Sequence, residues 1–338
     1  MTDDPNNDPI GRGWQLLEDG KIDDARKIAD RAVTANADSP EAHTLVGAVA
    51  GAEGDVEGAL EAFERAMELD DQYLDPILLA AETHALEGDT KEALRLCERA
   101  LDVAEEEDEY VDALLIKTEI ELGDGDPEAA EKTLAQLPSE VDLPSAALEL
   151  RAGDAFLEIE DYDRAAQCYE RASRREPESA DALYGLGLVA EARGEQSEMV
   201  THFQRVRALD EKAAALPWAV TEDRMEELVE AALAELPERA QKLLENVPVM
   251  IEALPSEEVV GDGFDPRGLG LFAGVPFPEQ STMGAPPHLE AVFLYQRNIE
   301  RVARSTSEVE AEIRTTLLHE TGHFFGLDEE DLAELGLD

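Results

Sequence analysis

The chain has 338 residues, enough for two domains that each bury a core. Its 80 acidic residues outnumber 28 basic ones, for a formal net charge of -52, and only 7 of the basic residues are lysine. Such a surface lacks the basic footprint that phosphate binding requires, so nucleic acid and anionic membrane surfaces are not expected partners.

The first residues, Met1-Thr2-Asp3-Asp4-Pro5, carry neither a basic nor an apolar leader, and no run approaches the ~18 apolar residues of a membrane span. A cytoplasmic location is the expectation. From residue 6 to about residue 212 the chain then repeats itself. Gly20, Gly54 and Gly88 are spaced by 34 residues, as are Ala25, Ala59 and Ala93, and Ala32, Ala66 and Ala100. Gly187, Gly194 and Phe203 mark a last copy, and Tyr169, Ala172 and Pro177 the copy before it. Six copies are expected. The first lacks the aromatic residue and reads as a cap. The fourth (Gly125, Ala130, Leu134, Leu137) fits with about three residues inserted near the acidic run Glu105–Glu109, which reads as an exposed loop. Cys97 and Cys168 fall at packing positions and read as small buried hydrophobes in a reducing setting. The acidity has two readings: solvated helix faces, or adaptation to high internal salt, where screening weakens repulsion among dense carboxylates. With 43% apolar residues in regular periods, disorder is not expected.

In each copy a small residue sits at the helix crossing and a glycine turns the chain. Gly47 admits a neighbouring helix, Gly54 makes the turn, and Ala59, Phe63 and Ala66 pack the second helix back. This pattern resembles the tetratricopeptide repeat family. The resemblance implies a superhelix of helical hairpins whose concave face binds a peptide or protein segment; the plainer reading is an array that only spaces or solubilises the C-terminal domain.

After Asp210 the repeats stop, and Pro217-Trp218 marks a boundary. The expected organisation is an array over residues 1–212, a connector over 213–221 and a second domain over 222–338. In that domain Thr221 caps a helix over Glu222–Leu236, and Pro237 opens another. Val247–Leu254 reads as a strand, with Pro248 placing it at an edge or a strand start. Gly261–Pro278 reads as loop, and Ala291–Tyr295 as a buried strand. Ser307-x-x-Glu310 reads as the capping box of a long helix with Val309, Ile313, Leu317 and Phe324 as its core stripe and Gly326 as its stop. The fold class is thus mainly α: a helical-hairpin superhelix followed by a small α+β domain.

That last helix carries His319-Glu320-Thr321-Gly322-His323. Four residues apart on a helix, His319 and His323 project from one face and can grip one Zn²⁺. Glu320 lies about 100° round, able to reach a water at the metal without ligating. Together with Ala232–Pro237, Glu245–Val249 and the loop Gly268–Pro276, the stretch His319–Leu332 resembles the minimal zincin-like metallopeptidase domain. A catalytic zinc needs a third protein ligand. Glutamate-zincins take it from a second helix twenty or more residues downstream, for which the fifteen residues after His323 leave no room. Metzincin-like proteins use a position ten residues after the first histidine, returned by a glycine turn. Here Gly326 supplies the turn and Glu329 that position, where the family often has Asp; Asp328 and Asp331 are its rivals. No Met-turn comes after the motif, since Met283 lies upstream, so a true metzincin is excluded.

The resemblance implies a zinc-dependent peptidase that uses a zinc-bound water, with Glu320 as general base and the repeats recruiting a protein partner or substrate. The substrate would add as a strand to a sheet edge, at Ala291–Tyr295 or Val247–Ile251. Tyr295, His288 and Arg314 are open candidates for the transition-state donor, though His288 reads more simply as a surface loop residue. The alternative is a protein-binding scaffold whose metal domain is inactive or structural. A structural site has no need of Glu320.

Overall fold

The computed structural model describes residues 8–138, 142–235, 241, 247–274 and 291–324, with backbone alone for 323 and 324. It divides into two compact units, Met1–Arg193 and Gly194–Asp338.

The first unit runs α1 (Pro9–Glu18), α2 (Ile22–Ala35), α3 (Pro40–Ala52), α4 (Val56–Leu69), α5 (Leu74–Leu86), α6 (Thr90–Val103), α7 (Glu107–Gly123), α8 (Pro127–Leu134), α9 (Ala146–Glu158), α10 (Tyr162–Arg175) and α11 (Ala180–Ala192). Short polar side chains start these helices. Ser39, Asp55, Asp89, Asp126, Ser145, Asp161 and Ser179 each accept a backbone N–H from the first turn they precede. The turns between paired helices need a left-handed residue, and Gly20, Gly54, Gly88 and Gly125 supply it with φ of 70 to 80°. At the same point of the next turn stands Glu160, with φ 62°.

Small residues set the helix spacing. A Cβ on Gly47 would lie 2.5 Å from the Phe63 ring, and one on Gly153 would lie 2.6 Å from the Tyr169 ring, which Gly185 also abuts. Tyr169 and Phe63 are accordingly among the largest fully buried side chains. Cys97 and Cys168 are free and buried as expected. Burial pushes both thiols up to about 12, so they pack as neutral groups.

The acidic run at 105–109 is not a loop throughout. Residue 107 opens α7, and the Glu109 carboxylate accepts the backbone N–H groups of Glu105 and Glu106 at 2.9 and 3.2 Å. Carboxylates in a first turn are favoured by the helix dipole, which is why an acidic run can begin a helix. The 17 residues of α7, against 13 in α5, absorb the insertion of the fourth copy.

The second unit contains α12 (Gln196–Asp210), α13 (Glu222–Glu235), β1 (Val249–Glu252), α14 (Glu257–Gly261), β2 (Gly270–Ala273), β3 (Ala291–Tyr295), α15 (Gln296–Val302) and α16 (Thr306–Phe324). The sheet order is β1–β3–β2, with β1 parallel and β2 antiparallel to β3. Its core joins Met225, Leu228 and Val229 of α13 to Val292 and Leu294 of β3 and to Val309, Ile313 and Leu317 of α16.

Three readings of the sequence change here. The stretch 261–278 holds a strand, β2, whose Gly270 pairs with Leu294 and Ala273 with Ala291. Four residues amid glycines are too short to show a period, and their partner lies 21 residues on. The substrate edge cannot be Ala291–Tyr295, because β3 has a neighbour on both sides. The cap of α16 is Ser305, whose Oγ accepts the Glu308 N–H at 3.2 Å while Glu308 accepts the Arg304 N–H at 2.8 Å. Two overlapping Ser-x-x-Glu spacings compete, and the earlier one starts the helix. Pro237 and Gly326 lie outside the described residues, as does the side chain of Phe324.

Candidate metal centre

The core stripe Val309, Ile313 and Leu317 is fully buried and fixes the rotation of α16. That rotation turns Glu312, Thr315, Thr316, His319 and Glu320 toward an open cleft of 530 Å³, whose opposite wall is Gly263–Asp265 and Gly268–Phe272. His319 is half-buried and Glu320 is only 7% exposed. The backbone of β2 comes close to both turns of the helix. A Cβ on Gly270 would stand 2.8 Å from Glu320 Cγ, 3.0 Å from its Oε1 and 2.9 Å from Thr316 Cγ2. Only glycine admits that approach, so Gly270 is a site residue that sequence spacing did not single out.

Thr316 is a second such residue. Elsewhere in the chain Thr34, Thr44, Thr83, Thr118 and Thr201 donate their hydroxyls to the carbonyl four residues back, as helix threonines do. The buried hydroxyls of Thr316 and Thr321, which flank Glu320, have no such partner. Buried polar atoms without partners are uncommon in folded proteins, and of the two only Thr316 lines the cleft. The spacing of four between Thr316 and Glu320 was the available signal.

Of the three donor candidates, Arg314 is drawn elsewhere and pairs with Glu235 of α13 at 2.8 Å. Tyr295 is 1% exposed and is not part of the cleft lining; its ring meets Phe264 at 5.8 Å. Burial, followed by the charges of Glu252 and Glu320, pushes its hydroxyl well above the ordinary tyrosine range. His288 lies outside the described residues.

Among the described residues no three His, Cys, Asp or Glu side chains gather to hold a metal ion. The structure brings His319 and Glu320 to the cleft and places residue 323 in the last turn of α16. The side chain of His323, and Glu329, Asp328 and Asp331 altogether, lie outside the described residues. Of the expected donors, the described residues show one side chain, the half-buried imidazole of His319, with the Glu320 carboxylate beside it in the cleft; an imidazole nitrogen is a donor that suits zinc.

The model of the zincin-like metallopeptidase family matches residues 244–337. Tetratricopeptide-repeat models match residues 10–73 and 150–214, and residues 52–115. No curated protein matches the chain. Among solved structures, YrrB, titled a TPR protein with an unusual peptide-binding site, is 17% identical with a TM-score of 0.39 over 54% of this chain and 93% of its own. The thermophilic TPR protein TTC0263 of Thermus thermophilus is 22% identical with a TM-score of 0.44, over 52% and 93%. The APC/C hetero-tetramer Cut9-Hcn1 is 17% identical with a TM-score of 0.47, over 61% of this chain and 40% of that one.

Proposed function

Because this chain joins tetratricopeptide repeats to a C-terminal zincin-like metallopeptidase domain, we propose that it is a zinc-dependent peptidase whose repeats bind a protein partner or substrate. One observation carries the reading: Glu320, one residue after His319, is buried at the floor of a cleft against the β2 backbone. His319, His323 and Glu329 are the proposed ligands, with Asp328 the closest rival for the third place. When bound, zinc supplies Lewis acidity, which makes water a stronger acid and polarises a peptide carbonyl. Glu320 takes the proton of the attacking water and passes it to the amine that leaves. The close approach of the β2 backbone at Gly270 confines that carboxylate, which is itself buried, on one side of the cleft.

Among the described residues the sheet edge that borders the cleft is β2, so an extended substrate is expected to add there rather than at β3. The tetratricopeptide match supports protein binding by the array. No helix among the described residues is long and apolar enough to cross a membrane. Two free, separately buried cysteines support a reducing, cytoplasmic setting.

The test is zinc content and cleavage together. Wild-type protein should carry about one zinc, lost in His323→Ala, and should cut a peptide library or casein. Glu320→Gln should keep the metal and lose cleavage by roughly a thousandfold. Equimolar zinc with no cleavage by wild type would leave the scaffold reading in its place.

A further inference from the structure

We infer that Asp210, at the end of α12, is a positioning residue for the cleft: through Arg267 it fixes the segment 263–268 that forms one wall and leads into β2. The inference rests on the peptidase reading for its effect on turnover, and on the structure alone for its effect on the wall.

By sequence, α12 is the second helix of the last repeat, with Gly194 before it and Phe203 at the position of the repeat aromatic. In the fold it belongs to the second unit and serves as the bed of the cleft wall. Met199, Phe203 and Val206 are buried. Two glycines let the end of α14 and the chain just after it lie directly on this helix. A Cβ on Gly261 would stand 3.2 Å from Gln204 Nε2; one on Gly263, where φ is +104°, would stand 2.6 Å from Gln196 Nε2 and 3.2 Å from Met199 Cε. Arg207 secures the approach to α14 by donating from Nε to the Pro255 carbonyl at 2.7 Å.

Asp210 closes this arrangement. It is 3% exposed, and its two oxygens take separate guanidinium groups, Arg267 Nε at 3.2 Å and Arg301 at 2.8 Å. Arg301 lies on α15, whereas Arg267 lies between Asp265 and Gly268, both in the cleft lining. From the other side Asn298 of α15 donates to the carbonyls of Pro266 and Gly268 at 2.9 and 2.7 Å. The wall is therefore clamped between α12 and α15 immediately before Gly270, which touches Glu320. A buried carboxylate shared by two cations resists exchange for a neutral group, because the largely buried Arg267 would lose its counter-charge. Loss of the Arg267 link frees the wall while the Arg301 link still holds α15. Displacements of about 1 Å at a reacting centre are enough to slow turnover severely.

The test uses the full chain, amide hydrogen exchange read along the sequence, zinc content, and cleavage of the peptide library. Asp210→Asn is expected to raise exchange at residues 263–273 at least tenfold and to lower kcat by ~10-fold to 100-fold with zinc retained. Asp210→Glu should restore part of both. Arg267→Gln, which spares the Arg301 pair, should give the same local effect, and this variant decides the matter if Asp210→Asn fails to fold. Asp126→Ala, which removes a cap in the array, should leave residues 263–273 unchanged. Wild-type exchange at 263–273 in Arg267→Gln would overturn the inference, as would loosening confined to α12. If no form of the protein cuts any peptide, the peptidase reading fails, and the exchange pattern still settles the role of Asp210 in holding the wall.

Discussion

Each of the two units is held together internally by a different kind of contact. In the repeat array the polar ties join neighbours about one repeat apart: Arg26 to Glu53, Arg151 to Glu119, Arg193 to Asp163. The apolar packing there is mainly between helices adjacent or next but one in sequence. In the second unit the ties run across the whole sequence. Trp218 Nε1 donates to the Glu300 carbonyl at 2.8 Å, the Val220 N–H to the Glu300 carboxylate at 3.0 Å, and Arg297 to the carbonyls of Glu211 and Ala213. A solenoid is nearly a sum of local terms, so damage stays local. Where the ties are long-range, a change in one loop is felt in the elements tied to it, the cleft wall among them.

The largest expected effect breaks the array. Tyr169 fills the space left by Gly153 and Gly185, and its hydroxyl donates to Asp154 at 2.8 Å. Tyr169→Ala should remove ~3–5 kcal/mol of local stability. Native-state hydrogen exchange should show the loss in α9–α11 and leave α3–α6 at wild-type protection. Loss spread evenly over α1–α11 would show that the array is not a sum of neighbour contacts. The counterpart in the second unit is Asn298→Ala, which strips the Pro266 and Gly268 carbonyls of their donor. About 2 kcal/mol is expected, and the exchange increase should reach β2 and the Glu320 turn of α16, not residues 266–268 alone.

A pH experiment sharpens the contrast on the side of the array. Burial raises the Asp154 carboxyl above its ordinary 3.8; the Tyr169 hydroxyl opposes the shift, and the charges of Asp181 and Glu119 add to it. The folded array therefore holds the Asp154 proton more tightly than the unfolded chain. The penalty for the charge is fully present above the folded value and disappears as pH falls through it toward the unfolded one. Asp154→Asn, which can still accept the tyrosine hydroxyl, should raise the melting temperature of the array at neutral pH. It should have no effect well below the ordinary aspartate range. The gain is small, because Asp154 keeps contact with water. Equal stabilisation at all pH values would mean that charge is not the cause.

The same contrast explains what the sequence made legible. The array announces itself because each copy repeats the same local solution, so Gly54, Ala59 and Phe63 can be read against Gly88 and Ala93. The motif of His319 and Glu320 is legible because its chemistry depends on helical spacing alone. Long-range solutions leave no such trace. Gly270 looks like one more loop glycine until β2 is seen against Glu320. Thr316 looks like any helix threonine until its hydroxyl is found without the usual carbonyl. Phe203 marks α12 as a repeat helix, which it is by pattern, and says nothing of the cleft wall that lies on it.

The smallest expected effect tests a turn that departs, among the described residues, from the glycine rule of its neighbours. The turn between α9 and α10 uses Glu160 in the left-handed region that Gly20, Gly54, Gly88, Gly125 and Gly194 occupy elsewhere. A side chain there is strained by ~1–2 kcal/mol, while glycine gives back roughly 0.5–1 kcal/mol through its freer unfolded chain. Glu160→Gly should therefore stabilise the array, but by less than 1 kcal/mol or so. The gain should appear as slower exchange in α9 and α10 only, since the turn touches no other hairpin's geometry. Destabilisation instead would mean that the Glu160 side chain contributes more to this hairpin than its backbone withholds. The repeat rule would then be a preference of each turn, not the condition for closing it.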